Sequence, residues 1–264
     1  MTEDGYLLDN RSVWAGERFE AMAVLFDPAT FRHLDRLGLG PGRRCWEVGA
    51  GGTSVVRGLA DRVGPQGRVL ATDIDVSWAG DGAGPPVEVR RHDVVADPPP
   101  GEFFDLVHAR LLLVHLVDRE RVLATMVGTL RPGGWLLVED ADPGLQPLAC
   151  PEARTGEEVL ANRIRTGFRS VMAGRGVDLA YGRKLPRLLR EAGLTGVGAE
   201  AGFPVADPAC HRLEAATVRL IRDQLLAHEV ATDEEIDRHL AAVEAGRLEL
   251  TQPPMVSAWG QRPG

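Results

Sequence analysis

The chain has 264 residues, of which 44% are hydrophobic and 26% are charged, and its formal net charge is −8. This balance is typical of a soluble globular protein with one sizeable core, and the acidic charge argues against nucleic acid as a partner. The N-terminus shows no signal-peptide pattern and no apolar run is as long as a membrane span, so we expect a cytoplasmic protein without a membrane partner. The cysteines are scattered without a CxxC pair, so we expect neither a disulfide framework nor a metal site.

The first 140 residues predict helices followed by a regular alternation of strands and helices. Apolar residues recur at helical spacing from residue 12, and Asp27-Pro28 predicts a break before a second helix over Ala29–Leu37. The predicted strands are Arg43–Val48, Arg68–Asp73, Val87–Arg91, Phe104–His108 and Trp135–Glu139, and the predicted helices between them are Ser54–Val63 and Asp118–Leu130. Such alternation indicates βα units and a mainly parallel sheet with helices on both faces.

After Asp140 the alternation becomes less regular. Helices are predicted over Glu157–Ala173, Lys184–Ala192, His211–His228 and Asp233–Gly246, and strands over Thr195–Pro204 and Pro254–Gln261. The last of these helices opens with Thr232-x-x-Glu235, which is a capping-box pattern. No internal repeat or low-complexity linker interrupts the chain, so we expect a single domain with helical additions.

The most informative stretch is a strand, a glycine loop and a helix start around Glu47, Gly49 and Gly51. Ligands of parallel sheets bind at the carboxyl ends of the strands, and glycines let a ligand approach the backbone closely. The sixth position of a dinucleotide fingerprint holds Ser54 instead of glycine, and no P-loop follows. The Glu47 carboxylate would repel a pyrophosphate but suits an ammonium group. A purely structural turn beside a solvated glutamate is the alternative.

Acidic residues also follow the second and third predicted strands. Asp73 can accept hydrogen bonds from ribose hydroxyls, although Asp75 competes for this role and either residue could simply cap a turn. Asp93 can accept from an exocyclic amino group while the following amide donates to a ring nitrogen, and a loop cap is about as plausible. These positions predict a nucleoside-binding edge.

In order and spacing these motifs resemble the class I S-adenosylmethionine (SAM)-dependent methyltransferases. The matching segments are Glu47-x-Gly49-x-Gly51, Asp73, His92-Asp93, Phe104-Asp105-Leu106-Val107 and Leu130-Arg131-Pro132-Gly133-Gly134. The likeness is strongest over Gly38–Asp140, where it looks most like small-molecule enzymes of actinobacterial type. It implies a Rossmann-like, seven-stranded, mostly parallel sheet with an N-terminal helical segment and a helical lid insertion. It also implies SAM as cofactor and S-adenosylhomocysteine as product.

The resemblance implies specific cofactor contacts. Glu47 would lie near the amino group of SAM, Asp73 would bind the ribose, and Asp93 would bind the adenine amino group. The full implied set is Glu47, Gly49, Ala50, Gly51, Asp73, Ile74, His92, Asp93, Val94, His108 and Ala109. One departure is Thr53, which stands where the family has a third glycine.

The acceptor side of the site is predicted from chemistry and topology. Methyl transfer from a sulfonium needs alignment and a dry site, and a hydroxyl acceptor must also lose its proton to a base. His108 and Asp140 are the predicted catalytic residues, whereas His115 lies in an apolar run that favours packing. The predicted substrate residues are Tyr6, Trp14, Arg110, Arg165 and Arg169, although a solvated basic face is an alternative for the last two.

The sequence therefore predicts an enzyme that methylates an oxygen, nitrogen or carbon of a small molecule, in bacterial secondary metabolism. The alternative is a SAM-binding protein with non-methylating chemistry such as cyclisation or decarboxylation. A third possibility, a dinucleotide oxidoreductase, is disfavoured by Glu47. The domain would comprise an N-terminal cover (1–38), a SAM-binding core (39–140), a substrate lid (141–183) and a C-terminal completion of the sheet (184–264). Its partner would be a small-molecule acceptor, with a homodimer as a further possibility.

Overall fold

The computed structural model describes residues 12–78 and 84–264. It contains a seven-stranded sheet in the order β3-β2-β1-β4-β5-β7-β6. The strands are β1 (Arg44–Val48), β2 (Arg68–Asp73), β3 (Val87–Arg91), β4 (Phe104–Arg110), β5 (Leu130–Ala141), β6 (Thr195–Gly202) and β7 (Met255–Gln261). The first five strands pair in parallel, and β7 runs antiparallel to β5. The predicted Rossmann-like, mostly parallel sheet is thereby confirmed.

The strand order reverses between β1 and β4, because the chain moves outward from β1 to β3 and then returns to the other side of β1. Such a reversal is where open α/β sheets bind ligands, at the carboxyl ends of the strands. Every residue of β1 and β2 after the first is buried, as expected for strands covered on both faces. The fold therefore places the ends of β1, β2 and β4 at the expected binding edge.

Eight helices accompany the sheet within the described residues. They are α1 (Val13–Arg36), α2 (Ser54–Val63), α3 (Arg119–Gly128), α4 (Gly156–Gly174), α5 (Leu185–Glu191), α6 (Pro208–Leu220), α7 (Arg222–Ala227) and α8 (Asp233–Glu244). Within 12–78 and 84–264, none of the helices has both the length and the apolar character that crossing a bilayer requires.

The chain divides into two compact units. The sheet unit comprises Phe26–Ala141, Ala180–Ala201 and Met255–Gly264, and the helical unit comprises the described residues up to Leu25 together with Asp142–Leu179 and Gly202–Pro254. In the sheet unit, one face of α2 packs on strand residues such as Cys45 and Val69.

The helical unit has its own apolar core, formed by one face each of α4, α6 and α8. Ile164, Ala215 and Ile236 are among its buried members. The predicted capping box at the start of α8 is present: the Thr232 hydroxyl accepts from the Glu235 amide at 3.3 Å, and the Glu235 carboxylate accepts from the Thr232 amide at 3.0 Å. These two bonds satisfy amides that the helix itself leaves unpaired.

Thr232→Ala is expected to lower the free energy of unfolding by about 1 kcal/mol, because the variant loses the cap on α8. Urea denaturation at neutral pH measures this change. Thr125→Ala is the matched control: Thr125 lies inside α3, and its hydroxyl only bonds back to the Arg121 carbonyl. A loss at Thr232 no larger than at Thr125 would contradict the role assigned to the cap.

Three predicted elements differ from the structure. A single helix, α1, runs through Pro28, where the sequence predicts a break. Proline removes one backbone donor, but buried residues on both sides of it, Phe26 and Leu34 among them, favour an unbroken helix. The helix predicted over His211–His228 is interrupted at Ile221, giving α6 and α7. β5 begins five residues before the predicted Trp135, because the Arg131-Pro132-Gly133-Gly134 turn motif is itself part of the strand.

Candidate functional site

The glycine loop after β1 is tied to the end of β2. Gly49 and Gly51 have φ angles of 71° and 55°, which glycine adopts without strain. The Gly49 and Ala50 amides donate to the Thr72 carbonyl at 2.8 and 3.0 Å. The Gly51 amide donates to the Asp73 carboxylate at 2.9 Å. The structure thus brings together the glycine loop and the acidic strand end that the sequence singles out separately.

Asp73, the last residue of β2, connects the glycine loop with the turn that follows β2. It is 8% exposed, and its other carboxylate oxygen accepts from the Asp75 amide at 2.9 Å. Burial raises the pKa of Asp73, while these backbone hydrogen bonds oppose the shift. Each carboxylate oxygen has a second lone pair with which to meet a ligand. The next residue, Ile74, is a large apolar side chain that is nevertheless 39% exposed.

The segment after β3 begins with His92, one of whose ring nitrogens has no hydrogen-bond partner among the described residues. His92 donates from Nε2 to the Pro98 carbonyl at 3.0 Å, so Nδ1 of the neutral ring is an acceptor. Nδ1 is buried and has no hydrogen-bond partner among the described residues. Asp93 accepts from the amides of Val95 and Ala96, at 2.9 and 3.3 Å, and so caps its own turn. Val94 is partly buried.

A row of buried polar side chains crosses the sheet from β1 to β7. Nδ1 of His108 is 2.6 Å from a Glu47 carboxylate oxygen, and Nε2 is 3.2 Å from a Glu139 carboxylate oxygen. The Ser257 hydroxyl donates to the other Glu139 oxygen at 2.5 Å, and the Thr30 hydroxyl of α1 also donates to Glu139. We call Glu47, His108 and Glu139 the buried polar row.

The buried polar row carries a charged imidazole. Burial favours the neutral ring, but the charge of Glu47 and the hydrogen bonds to both glutamates raise the pKa of His108 to about 9. Burial likewise favours a protonated Glu139, but His108, Arg110 and Ser257 outweigh it and lower its pKa to about 2. Burial raises the pKa of Glu47, although the charge of His108 acts to lower it. At neutral pH, His108 is therefore doubly protonated.

This geometry bears on three predicted site residues. Both ring nitrogens of His108 face carboxylates, which leaves no nitrogen free to take a proton from a substrate. One Glu47 oxygen is held by His108, so a cofactor ammonium would have to meet the other. Ala109, on the next position of β4, is buried.

Arg110 and Asp140 follow the row at the ends of β4 and β5. Arg110 donates to Asp27 at 2.8 Å and to Thr30 at 3.1 Å, so its guanidinium is engaged with α1. Asp140 is fully buried. Burial raises its pKa well above the usual range, although the Val114 and Leu112 amides oppose the shift. Neither Asp140 oxygen makes a hydrogen bond of good geometry within the described residues.

The predicted substrate residues in the helical unit have internal partners. The Trp14 ring lies 4.5 Å beneath the Arg219 guanidinium. Arg165 is buried and donates to Glu214 at 2.5 Å, so it lies neither on a solvated basic face nor open to a ligand. Arg169 is partly buried. Tyr6 lies outside the described residues.

Sequence reasoning missed several residues that build the site. Thr72 accepts the two loop amides and receives the Trp46 indole N–H at 2.8 Å. Glu139 completes the buried polar row. A carboxylate directly after the apolar run Trp135–Val138 of a central strand was the available signal, because such a position needs a buried partner. The position of Leu112 beside Gly49 could not be predicted, because it depends on how β1 and β4 align.

Gly49→Ala is expected to lower the free energy of unfolding by about 1–2 kcal/mol, since an alanine is strained at positive φ. The added methyl would also lie 3.0 Å from a Leu112 methyl, so the Leu112 side chain must move slightly to accommodate it. Gly128→Ala is the matched control, because Gly128 ends α3 with nothing within 4 Å of an added methyl. Thermal or urea unfolding of both variants is the measurement. Equal stabilities would contradict the loop geometry.

Comparison with known proteins gives a consistent result. A family model described as a methyltransferase domain matches residues 46–138. A ubiquinone/menaquinone biosynthesis C-methyltransferase from Bordetella parapertussis is 32% identical over 122 residues, covering 44% of this chain and 47% of that protein. A methyltransferase from Strobilurus tenacellus, str2, is 37% identical over 133 residues, covering 49% of this chain and 46% of that protein. The chain thus spans just under half the length of these relatives.

Solved structures agree on the fold. A phosphoethanolamine N-methyltransferase 2 from Haemonchus contortus, in complex with phosphomonomethylethanolamine and S-adenosylhomocysteine, has a TM-score of 0.59 at 13% identity, over 100% of this chain and 62% of that one. A methyltransferase-like protein from Bacillus halodurans has a TM-score of 0.55 at 19% identity, over 89% of this chain and 100% of that one. The matched domain contains the glycine loop, Asp73 and the ends of β1 to β4. Residues 46–138 of the chain are therefore similar to a methyltransferase domain, and the chain shares the fold of solved methyltransferases.

Proposed function

We propose that the protein transfers the methyl group of SAM to an oxygen, nitrogen or carbon atom of a small-molecule acceptor. The observation that carries the proposal is the hydrogen bond from the Gly51 amide to Asp73, which joins the glycine loop to the ribose-binding carboxylate. The acidic net charge of −8 supports a small molecule over nucleic acid as acceptor. The Bordetella relative is a C-methyltransferase by name, which supports keeping carbon among the acceptor atoms.

The residues at this edge fit SAM. An exposed Ile74 beside a carboxylate suits a nucleoside, whose base needs an apolar surface and whose ribose needs acceptors. The positive φ angles of Gly49 and Gly51 give the loop a sharp turn that glycine adopts without strain. Asp93 uses one carboxylate oxygen to cap its own turn, and we assign its other oxygen to the adenine amino group. Nδ1 of His92 is enclosed by protein and does not face a ligand.

SAM, when bound, supplies an activated methyl group on a sulfonium. The chain's own contribution is alignment and exclusion of water. Asp73 orients the ribose of SAM, and the loop residues Gly49–Gly51 determine how closely SAM approaches the backbone. His108 positions Glu47 and Glu139 and takes no proton from the acceptor, because both of its ring nitrogens are occupied. Asp140 remains the candidate for a group that exchanges a proton with the acceptor.

The wider assignments are also proposals. We infer that the SAM-binding core comprises residues 39–140, which contain every residue of the cofactor edge. A role in bacterial secondary metabolism is proposed from the resemblance to small-molecule enzymes.

Methyl transfer is tested by incubating the purified protein with methyl-labelled SAM and a metabolite extract of its host, then identifying labelled products by mass spectrometry. The proposal predicts a labelled small molecule and an equal amount of S-adenosylhomocysteine. Asp73→Ala protein is the matched control and should give much less of both products when SAM is kept well below the concentration that saturates the variant. Bound SAM without release of S-adenosylhomocysteine would contradict methylation and favour a non-methylating reaction.

A further inference from the structure

Two arginines lie one turn apart on α4, and only the first has a carboxylate partner in the described part of the chain. Arg165 donates to Glu214 at 2.5 Å and to the Thr251 carbonyl at 3.4 Å. The other Glu214 oxygen is 3.3 Å from Nε2 of His239. Burial favours a protonated Glu214, but the charge of Arg165 and its bond with His239 lower the pKa to about 2. Both Glu214 oxygens are therefore engaged with partners other than Arg169.

Within the described residues, Arg169 lacks a carboxylate partner. Its Nη1 is 3.5 Å from the Pro147 carbonyl, at the outer limit of a hydrogen bond. Its Nε is buried and has no acceptor within residues 12–78 and 84–264. Burial lowers the pKa of Arg169, and the neighbouring charge of Arg165 lowers it further. The helical unit thus holds a partly buried cation beside a second cation.

A guanidinium that is withdrawn from water without a counter-charge is unfavourable. The unfavourable term disappears when an anion binds, and the planar fork of N–H donors fits two oxygens of a carboxylate, phosphate or sulfate. The contrast with Arg163 on the same helix is instructive, because Arg163 is an exposed residue paired with Glu235 at 2.5 Å. Arg163 needs no further ligand.

We propose that Arg169 binds an oxyanion, a carboxylate or a phosphate, in a site of the helical unit where Arg165 adds to the positive potential. The ligand is either a free inorganic anion or the anionic group of a small organic molecule. The site stands on contacts within the helical unit alone, so it does not depend on methyl transfer or on SAM binding.

The test compares wild-type protein with Arg169→Met and Arg163→Met. Thermal midpoints are measured in sodium chloride alone and during titration with sodium phosphate or sodium benzoate at constant ionic strength. In chloride, Arg169→Met should be at least as stable as Arg163→Met, because it removes an uncompensated charge. A saturable rise in midpoint should occur for wild type and Arg163→Met and be absent for Arg169→Met. Circular dichroism confirms that each variant is folded.

The two titrations separate the sources of the anion. Saturation with phosphate alone identifies an inorganic anion or a phosphorylated ligand, and saturation with benzoate identifies an organic carboxylate. Equal anion responses in wild type and Arg169→Met would overturn the proposal. It would also be overturned if Arg169→Met were clearly less stable than Arg163→Met in chloride, because that result assigns Arg169 a structural role.

Discussion

His108→Leu is expected to lower the free energy of unfolding by about 3–5 kcal/mol, the cost of breaking a buried ion pair by removing one partner. Leucine fills much of the space of the imidazole but leaves Glu47 and Glu139 facing each other without the cation between them. Urea denaturation at neutral pH measures the loss. Combining His108→Leu with Glu47→Gln and Glu139→Gln removes the repulsion between the two carboxylates. The triple variant should therefore recover part of the lost unfolding free energy. No recovery would contradict the electrostatic origin of the effect.

The same row predicts a pH dependence of stability. The pKa of His108 is raised in the folded state to about 9, against an ordinary value near 6.5. Its stabilisation is therefore complete below about pH 6.5 and is lost as the pH rises toward 9, amounting to about 3 kcal/mol. The groups facing the ring are Glu47 and Glu139, with Arg110 nearby.

Other buried groups also make the protein less stable at alkaline pH. The measured quantity is therefore the difference in unfolding free energy between wild type and a variant. Burial raises the pKa of Cys45, and that contribution is present alike in wild type and in the triple variant His108→Leu/Glu47→Gln/Glu139→Gln. The triple variant is the reference, because it keeps no glutamate in the buried polar row that could titrate over the same pH range. Unfolding free energies are compared at steps between pH 6 and pH 9. The gap between the two proteins should narrow as the pH rises. A constant gap would mean that His108 is not protonated in the folded protein.

Asp73→Ala is expected to weaken the binding of S-adenosylhomocysteine by more than about tenfold. Hydrogen bonds to a charged group are each worth about 1.5–3 kcal/mol, and a ribose offers two hydroxyls to this carboxylate. The variant also releases the Gly51 amide, so the glycine loop loses its link to β2. Isothermal titration calorimetry gives the dissociation constants.

Asp75→Ala is the control for the ribose assignment. Asp75 accepts from the Ser77 amide and hydroxyl, at 3.0 and 2.7 Å, which is a local turn role. Its substitution should change the affinity by much less than that of Asp73. A reversed order, with Asp75→Ala the weaker binder, would transfer the ribose contact to Asp75.

The sequence was sufficient for those parts of the fold that depend on local pattern. α2, β2 and β3 were predicted with the bounds that the structure shows, because each combines clear periodicity with glycine, proline or charged residues at its ends. In the apolar run that contains His115, the structure shows only a short 3-10 turn over Leu113–His115 after a positive φ at Leu111. Periodicity does not predict the positive φ of Leu111, whose amide donates to the Glu139 carbonyl of β5 at 2.8 Å.

The contact between the glycine loop and Asp73 was more predictable than the surroundings of the predicted acceptor residues. The loop and Asp73 both lie directly at strand ends, and the carboxyl ends of parallel strands meet at one edge of the sheet. The partners of His108 and Arg165 could not be predicted, because Glu139 and Glu214 are 31 and 49 residues away along the chain. Such pairs depend on which strands and helices become neighbours, and a single sequence does not specify this directly.

Calorimetric titration of the wild-type protein with S-adenosylhomocysteine, and separately with NAD⁺, tests the central claim most directly. The claim is that the edge formed by Gly49, Gly51 and Asp73 binds a SAM-type nucleoside. It predicts one S-adenosylhomocysteine per chain and no heat of binding from NAD⁺. Binding of NAD⁺ together with no binding of S-adenosylhomocysteine would contradict it.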